Sequence, residues 1–375
     1  MMPMKLTIDR SALLKTLAHV QSVVERRNTI PILSNVLVEV ADGRLSLTAT
    51  DMDLTIVDSV AAEVVEPGAT TTPAHTLYDI VRKLPDGAQV EIDSAGDGNQ
   101  LTLRAGRSVF TLATLPREDF PAGGDADLPH SFSVQPKELR NLIDRTRFAI
   151  STEETRYYLN GIYLHAGKNG GVPVLRAVAT DGHRLARFEM PLPDGAMDLP
   201  GIIVPRKTVG EVRKLIDETE DPVELPLSAS PIRLIFDSPP PPPKLIDGTF
   251  PDYERVIPTG NDKALRVDCQ DFKAAVDRVS TISSEKSRAV KLLIDGDSIT
   301  LSANSPENGT AVEEVPVDYK GPAMEIGFNS RYLLDIAQQI EGGEAEFSLA
   351  DPASPTIVRD TSDSSALYVL MPMRV

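Results

Sequence analysis

Three stretches of the chain alternate apolar and polar residues and then change period. They are KLTIDRSALLKTLAHVQSVV, SFSVQPKELRNLIDRTRFAI and LRVDCQDFKAAVDRVSTI. Alternation predicts a short strand, and the spacing that follows predicts a helix. The helical positions are Leu13, Leu14, Leu17 and Val20, then Leu139, Leu142, Ile143 and Thr146, then Phe272, Ala275, Val276 and Val279. Asp9 and Asp271 stand where side-chain N-caps are expected. A strand-rich block follows each helix. NVLVEVADGRLSLTATD predicts a hairpin turned at Asp42-Gly43, and KLLIDGDSITLSANS one turned at Asp295-Gly296. NGIYLHAGKNGGVPVLRAVATDG predicts the same hairpin with a longer loop. Each block then leads to a second helix, in PAHTLYDIVRKL, PRKTVGEVRKLI and NSRYLLDIAQQI, and further strands close each copy. A repeat of roughly 125 residues is a domain and not a solenoid unit. The chain therefore divides into three copies of one α+β domain, at 1–128, 129–258 and 259–375.

Composition changes this picture little. Of 375 residues, 41% are hydrophobic, which fits folded cores and not a disordered chain. No apolar run reaches the roughly 18 residues of a membrane span. The start, MMPMKLTIDR, lacks a secretory h-region, and Cys269 is the single cysteine, so no internal disulfide can form. Both features favour the cytoplasm.

Charge changes it more. The net charge of −17 argues against a nucleic-acid partner, yet the helices run the other way. Arg10, Lys15, Arg26 and Arg27 outnumber the acids of the first helix region, as do Lys137, Arg140, Arg145 and Arg147 in the second copy. Arg206, Lys207, Arg213 and Lys214 follow on that copy's second helix, and Lys273, Arg278, Lys286 and Arg288 lie in the third. Agreement across equivalent helices implies a common basic surface.

One segment looks like chemistry. In ATDGHRLARFEM (179–190), Asp181 and His183 offer the carboxylate and imidazole of a general acid–base pair. A hydrolase using Asp181 and His183 is one reading, and a core or capping His183 is another. No nucleophile stands near them in sequence. There is also no P-loop, HExxH or Cys/His metal spacing, and GDG at 96–98 reads as a turn. No metal or cofactor is expected. A non-enclosing DNA-binding protein fits the basic helices but leaves the repeat unexplained.

A resemblance joins these features. IPILSNVLVEV (30–40), RYYLNG (156–161), VATDGHRLA (178–186), IVPRK (203–207), LIDGTFPDYERVIP (245–258), MEIGFN (324–329) and YVLMPMRV (368–375) follow one another in this order. With them the chain resembles, end to end, the bacterial β sliding clamps, the processivity subunits of DNA polymerase III. The resemblance implies a DNA clamp fold, with helices lining a pore, antiparallel sheets outside, and a head-to-tail homodimeric ring. It implies a protein with no chemistry of its own, encircling double-stranded DNA without sequence preference. It would tether the DNA polymerase III α subunit, the clamp loader, other polymerases and repair proteins through their short clamp-binding motifs.

The resemblance also implies sites. A partner-peptide pocket would comprise Leu159, Thr180, Gly182, His183, Arg184, Leu185, Pro251, Arg255, Val256, Val369, Leu370, Met371, Pro372, Met373 and Arg374, with Arg184 and Arg374 orienting the partner's polar groups. Arg27, Tyr157, Tyr158, Lys207 and Arg288 would lie near DNA. Arg107, Phe110 and Leu112 would meet Ile282 and acids such as Glu307, Glu313 and Glu314 across the dimer seam. The chain departs from the family pattern at Pro239–Pro243, where polyproline II or a shortened edge is expected. His75 stands where a more basic residue is common, and Arg331 is the one cation of the last helix.

Overall fold

The computed structural model describes residues 4–25, 29–52, 55–94, 100–121, 130–197, 199–217, 222–227, 234–236, 245–283 and 288–374. Arg26, Arg27, Lys286, the 96–98 turn and the Pro239–Pro243 run lie outside them.

The described residues hold six α-helices: α1 (Arg10–Gln21), α2 (Ala74–Lys83), α3 (Pro136–Asp144), α4 (Arg206–Leu215), α5 (Cys269–Ser280) and α6 (Ser330–Ala337). The helical spacing in the sequence marks their buried faces. α1 buries Leu13, Thr16, Leu17 and Val20, while Leu14 is only partly covered. Leu13 and Leu17 are wholly inaccessible, so truncating either to alanine would cost roughly 2–5 kcal/mol. α5 buries Phe272, Ala275, Val276 and Val279, and Phe272 meets Phe347 edge-on at 5.2 Å. Asp9 caps α1 through the Ser11 and Ala12 amides. In α5 the cap is Asp268, not Asp271: its Oδ1 accepts from the Gln270 and Asp271 amides at 2.9 Å. The helix begins at Cys269, so Asp271 falls inside the first turn, where its charge suits the helix dipole.

The three hairpins follow turn chemistry, with two corrections. Asp42 and Gly43 both take positive φ (49° and 74°), as a type I′ turn requires. The central hairpin has no longer loop. Asn169 pairs with Val172, which leaves only Gly170-Gly171, at φ 56° and 87°, and the extra residues lengthen the strands instead. In the third copy Asp295 is still strand and pairs with Ser298. The turn is therefore Gly296-Asp297, with the positive φ (61°) at Gly296.

Four sheets organise the strands. Two belong to one compact unit, residues 1–139, 193–200 and 210–245. Its five-stranded sheet runs Glu63–Glu66, Met4–Asp9, Gln89–Ser94, Gln100–Ala105, Ser108–Ala113. Its seven-stranded sheet runs His130–Val134, Val223–Leu227, Leu234–Phe236, Thr55–Ala61, Arg44–Thr50, Asn35–Ala41, Gly68–Pro73. The pairing of Leu234–Phe236 with Thr55–Ala61 is parallel, so the sheets are not antiparallel throughout.

The second unit comprises residues 140–192, 201–209 and 246–375. Its nine-stranded sheet runs Ile202–Pro205, Gly161–Asn169, Val172–Thr180, Arg184–Pro191, Ala366–Leu370, Thr356–Asp360, Glu344–Leu349, Lys263–Asp268, Asp318–Tyr319. Its four-stranded sheet runs Gly309–Pro316, Ser298–Ser305, Ala289–Asp295, Met324–Asn329. Three sequence repeats thus give two compact units, because hydrogen-bonded ladders continue from one repeat into the next. The middle repeat contributes strands to the seven-stranded and to the nine-stranded sheet.

No helix among the described residues is long and apolar enough to cross a membrane. Cys269 is buried, and burial pushes its thiol up to about 11, so it is an inert core residue.

Candidate functional site

The 180–184 segment is a tight hairpin turn in which the Thr180 and Asp181 side chains bond the turn's own backbone. Thr180 Oγ1 accepts from the Gly182 amide at 3.1 Å and donates to the Arg184 carbonyl at 2.7 Å. Asp181 Oδ1 accepts from the His183 and Arg184 amides at 2.9 and 3.0 Å, and its Oδ2 accepts from Arg184 Nε at 3.1 Å. Gly182 sits at φ 88°, and a Cβ there would lie 2.7 Å from Arg156 Nη1. The positive φ demands glycine, while the Arg156 end could shift aside. His183 is exposed, with its ring facing Tyr332 at 6.4 Å. The acid–base reading of Asp181 and His183 is therefore corrected: both carboxylate oxygens are occupied by amides and Arg184, and neither serves the imidazole.

Arg184 also departs from expectation. It is 8% exposed and its guanidinium is used inside the protein. Nη1 donates to Asp335 Oδ2 at 2.5 Å and Nη2 to the Phe148 carbonyl at 2.6 Å. The cation lies 4.3 Å from the Tyr332 ring centre and 5.2 Å from that of Phe148. A guanidinium with these partners ties the strand Arg184–Pro191 to α6 and is not available to orient another molecule. Phe148, Tyr332 and Asp335 are not legible in the sequence as its partners, since Asp335 is 151 residues away.

The two segments that the resemblance pairs are neighbouring strands. Arg184 stands opposite Leu370 and Leu185 opposite Val369. The Met371 amide then donates to the His183 carbonyl, and the Met373 amide to the Gly327 carbonyl, both at 2.9 Å. Leu159, Leu185 and Val369 are buried and share one core cluster with Val178, Ile203, Phe250, Tyr253, Ile357 and Leu367. Leu370 is buried as well. Gly182, His183, Pro251, Arg255, Val256, Met371 and Arg374 are exposed, and Thr180, Pro372 and Met373 are half-buried. So a predicted set of fifteen sorts into a floor, a surface layer and one internal tie, Arg184. Arg255 holds Asp252 at 2.7 Å on the surface.

The residues expected near DNA stand as follows. Tyr157 and Tyr158 lie on the 3-10 turn Glu154–Leu159, rings edge-on at 5.8 Å, with Tyr157 53% exposed. Lys207 is exposed in the first turn of α4, and Arg288 is exposed at φ 45°. The helix cations are less uniform than their count suggests. Arg10 pairs with Asp86 (2.6 Å), Arg147 with Asp144 (3.2 Å), Arg213 with Asp217 (2.5 Å) and Lys214 with Glu211 (2.9 Å). Arg145 is buried against Glu341.

Among the strands that end the four sheets of the described residues, two carry residues expected at the dimer seam. Ser108–Ala113 carries Phe110 and Leu112, half-buried against the core, and Val109, 61% exposed; Arg107 is exposed in the preceding turn. Gly309–Pro316 carries Val312, 69% exposed, and packs under α5, just beyond which Ile282 is half-buried. Glu313, expected to face a second subunit, is held by Arg278 of its own chain, which donates to both of its oxygens.

Three family models account for nearly the whole chain. They describe the N-terminal, central and C-terminal domains of the DNA polymerase III beta subunit, and match residues 4–123, 133–252 and 254–374. The chain belongs to this family. The beta sliding clamp of Caulobacter vibrioides is 57% identical over 372 residues, covering 99% of this chain and 100% of its own. That of Escherichia coli K12 is 40% identical over 380 residues, with the same coverage. A crystal structure of the Caulobacter crescentus clamp superposes with a TM-score of 0.96 at 56% identity, covering 100% of both chains. The Bartonella birtlesii clamp, solved bound to griselimycin, superposes at 0.95 with 48% identity, again covering 100% of both. The family is that of a non-catalytic processivity factor, which agrees with the internal use of Asp181.

Proposed function

We propose that this chain is a bacterial DNA sliding clamp: a head-to-tail homodimeric ring that encircles duplex DNA in the cytoplasm and tethers polymerase III and other replication and repair proteins to it. The domains would be 1–128, 129–258 and 259–375, which the three family matches support. The observation that carries the reading is that two of the sheet-ending strands, Ser108–Ala113 and Gly309–Pro316, carry residues expected at the seam, each beside an exposed valine. Exposed edges are a liability that a head-to-tail contact between two copies removes, and with two such contacts the ring closes. Phe110, Leu112 and Ile282 then supply the apolar part of the seam, with Arg107 at its rim.

Partner motifs would lie across His183, Val256, Met371 and Met373, over the floor of Leu159, Leu185 and Val369. Methionine and valine make an adaptable apolar surface there. Griselimycin, bound by the Bartonella birtlesii relative, is the natural probe of this groove. Tyr157, Tyr158, Lys207, Arg288 and Arg27 would contact phosphate, which positions a duplex without reading its sequence.

Sedimentation tests the ring. The wild-type protein should run at twice the chain mass, and Phe110→Asp with Ile282→Asp should run as a monomer. A tight dimer in that double variant places the seam elsewhere. Loaded wild-type protein should stay on circular DNA and leave linear DNA; equal retention on both would favour a non-enclosing DNA-binding protein.

A further inference from the structure

A second polar network lies beneath the groove, among residues to which neither the resemblance nor the acid–base motif gives a role. Its centre is Tyr253, 5% exposed, the first residue of the 3-10 turn Tyr253–Val256. This turn carries Arg255 and Val256 at the groove. The Tyr253 ring belongs to the same core cluster as Leu159, Leu185 and Val369. Its hydroxyl lies 2.9 Å from His165 Nε2 and 3.5 Å from Arg176 Nη1.

The proton positions follow from the partners. His165 Nδ1 lies 2.9 Å from the Ala166 carbonyl, which can only accept, so Nδ1 carries the hydrogen. In the neutral ring Nε2 is then an acceptor, and the Tyr253 hydroxyl donates to it. Arg176 closes the network: Nε donates to Glu189 (2.7 Å), Nη1 to Glu254 (2.7 Å) and Nη2 to the Lys168 carbonyl (2.8 Å). Rings reinforce it. Phe250 stacks on Tyr163 at 4.8 Å and 7°, and Tyr163 on His165 at 4.9 Å.

We propose that Tyr253, His165 and Arg176 are positioning residues of the groove: through this hydrogen-bonded chain they fix the turn that presents Val256, and so set the affinity for a bound partner without touching it. The proposal rests on the groove reading given above. Three observations support it. The turn is tied at two successive residues, Tyr253 and Glu254, to the strands Gly161–Asn169 and Val172–Thr180. Arg176 is 9% exposed and joins the turn to the strand Arg184–Pro191 through Glu189. Gly167 lets this guanidinium pack closely, since a Cβ there would lie 3.2 Å from its Cδ and Nε.

The chain has a proton-dependent link. The groups facing His165 are Tyr163, Arg176, Glu189, Tyr253 and Glu254. Burial, with Arg176 adding to it, holds the imidazole below the ordinary histidine range. The ordered network contains neutral His165, so a loosened turn binds the extra proton. Groove order is therefore full above the ordinary histidine range and is lost as pH falls below about 6.5, through the lowered value.

Fluorophore-labelled griselimycin titrated against the full-length protein tests this. All variants are built on His183→Gln, so that the imidazole at the groove does not contribute to the pH profile. Near neutral pH, Tyr253→Phe should lose about fivefold in affinity, the worth of one hydrogen bond. The parent should lose affinity between neutral pH and about pH 5.5, and Tyr253→Phe should not, because its link is already cut. His165→Gln keeps an oxygen for the Tyr253 hydroxyl. It should hold its affinity at neutral pH and lose the pH dependence, which keeps the test open even if Tyr253→Phe folds poorly. Parent-like affinity and pH profile in these variants, with weakened binding in Met373→Ala, would overturn the positioning role and leave the groove standing. Parent-like binding in Met373→Ala and Val256→Ala as well would remove the groove and the proposal together.

Discussion

The 180–184 turn and the network under the 253–256 turn contain the same chemical groups: a carboxylate, an imidazole and a guanidinium. In the first they are adjacent in sequence, Asp181, His183 and Arg184, and they form no acid–base pair. Asp181 serves amides and Arg184, and His183 faces outward. In the second, His165 and Tyr253 are 88 residues apart, yet they share a hydrogen bond. The strand and turn bring them together, with Tyr253 buried and His165 half-buried, so water competes less than at the surface. Nearness along the chain favours local side-chain-to-backbone bonds, which build turns. Coupled side chains need burial, and burial comes from tertiary packing.

Arg184 is the one member of the first region that is buried. Arg184→Met should destabilise the protein by about 3–5 kcal/mol, because it leaves Asp181 and Asp335 without their cation. Urea unfolding of the wild type and the variant measures this. Arg184→Met with Asp335→Leu should recover part of the loss, since the pair is replaced rather than broken. A loss below about 1 kcal/mol would instead mark Arg184 as the exposed partner-orienting cation that the sequence suggests.

A smaller effect is expected at Asp181. It accepts three hydrogen bonds and its side chain is 17% exposed. Asp181→Ala should cost roughly 1–3 kcal/mol and weaken griselimycin binding in parallel. Asp181→Asn keeps an oxygen for the amides and should recover most of both. A general base would be lost equally in the two variants, so a shared severe phenotype without instability would restore the chemical reading. DNA retention should be unaffected in either.

The features legible in the sequence are those whose physics is local. The helix faces of α1 and α5 follow from spacing alone, and the Asp9 cap from its place before the helix. The Asp42-Gly43 turn follows from residues that tolerate positive φ. Sequence and structure part where a shift of one to three residues matters. Asp268 caps α5 instead of Asp271, and Gly296-Asp297 turns the third hairpin, because strand and helix ends are decided by pairing with neighbours. The central hairpin is tighter than its sequence suggests, because Gly170-Gly171 can close a two-residue turn inside what looks like a glycine-rich loop. The family resemblance locates the groove segments, and the structure pairs them as strands, Arg184 opposite Leu370 and Leu185 opposite Val369. It does not reveal that Arg184 points inward. That follows from Phe148, Tyr332 and Asp335, which carry no shared motif.

The smallest stability effect belongs to His183. The imidazole is exposed, its ring partner Tyr332 is 6.4 Å away, and Asp181 takes the His183 amide and not the ring. Its hydrogen bonds run through the backbone, from its amide to Asp181 and to its carbonyl from Met371. Alanine retains both. His183→Ala should therefore shift unfolding by no more than about 0.5 kcal/mol. His165→Ala, by contrast, deletes an acceptor for a buried hydroxyl and a stacked ring, and should cost roughly 1–3 kcal/mol. If His183 contributes surface to the groove, griselimycin affinity should still fall in His183→Ala, by roughly 1 kcal/mol, with folding unchanged. Affinity lost without stability separates a residue that meets the partner from one that holds the protein in shape. The reverse pattern at His183, stability lost and affinity kept, would mean that the exposed histidine is the structural one and that the assignment of the two regions must be exchanged.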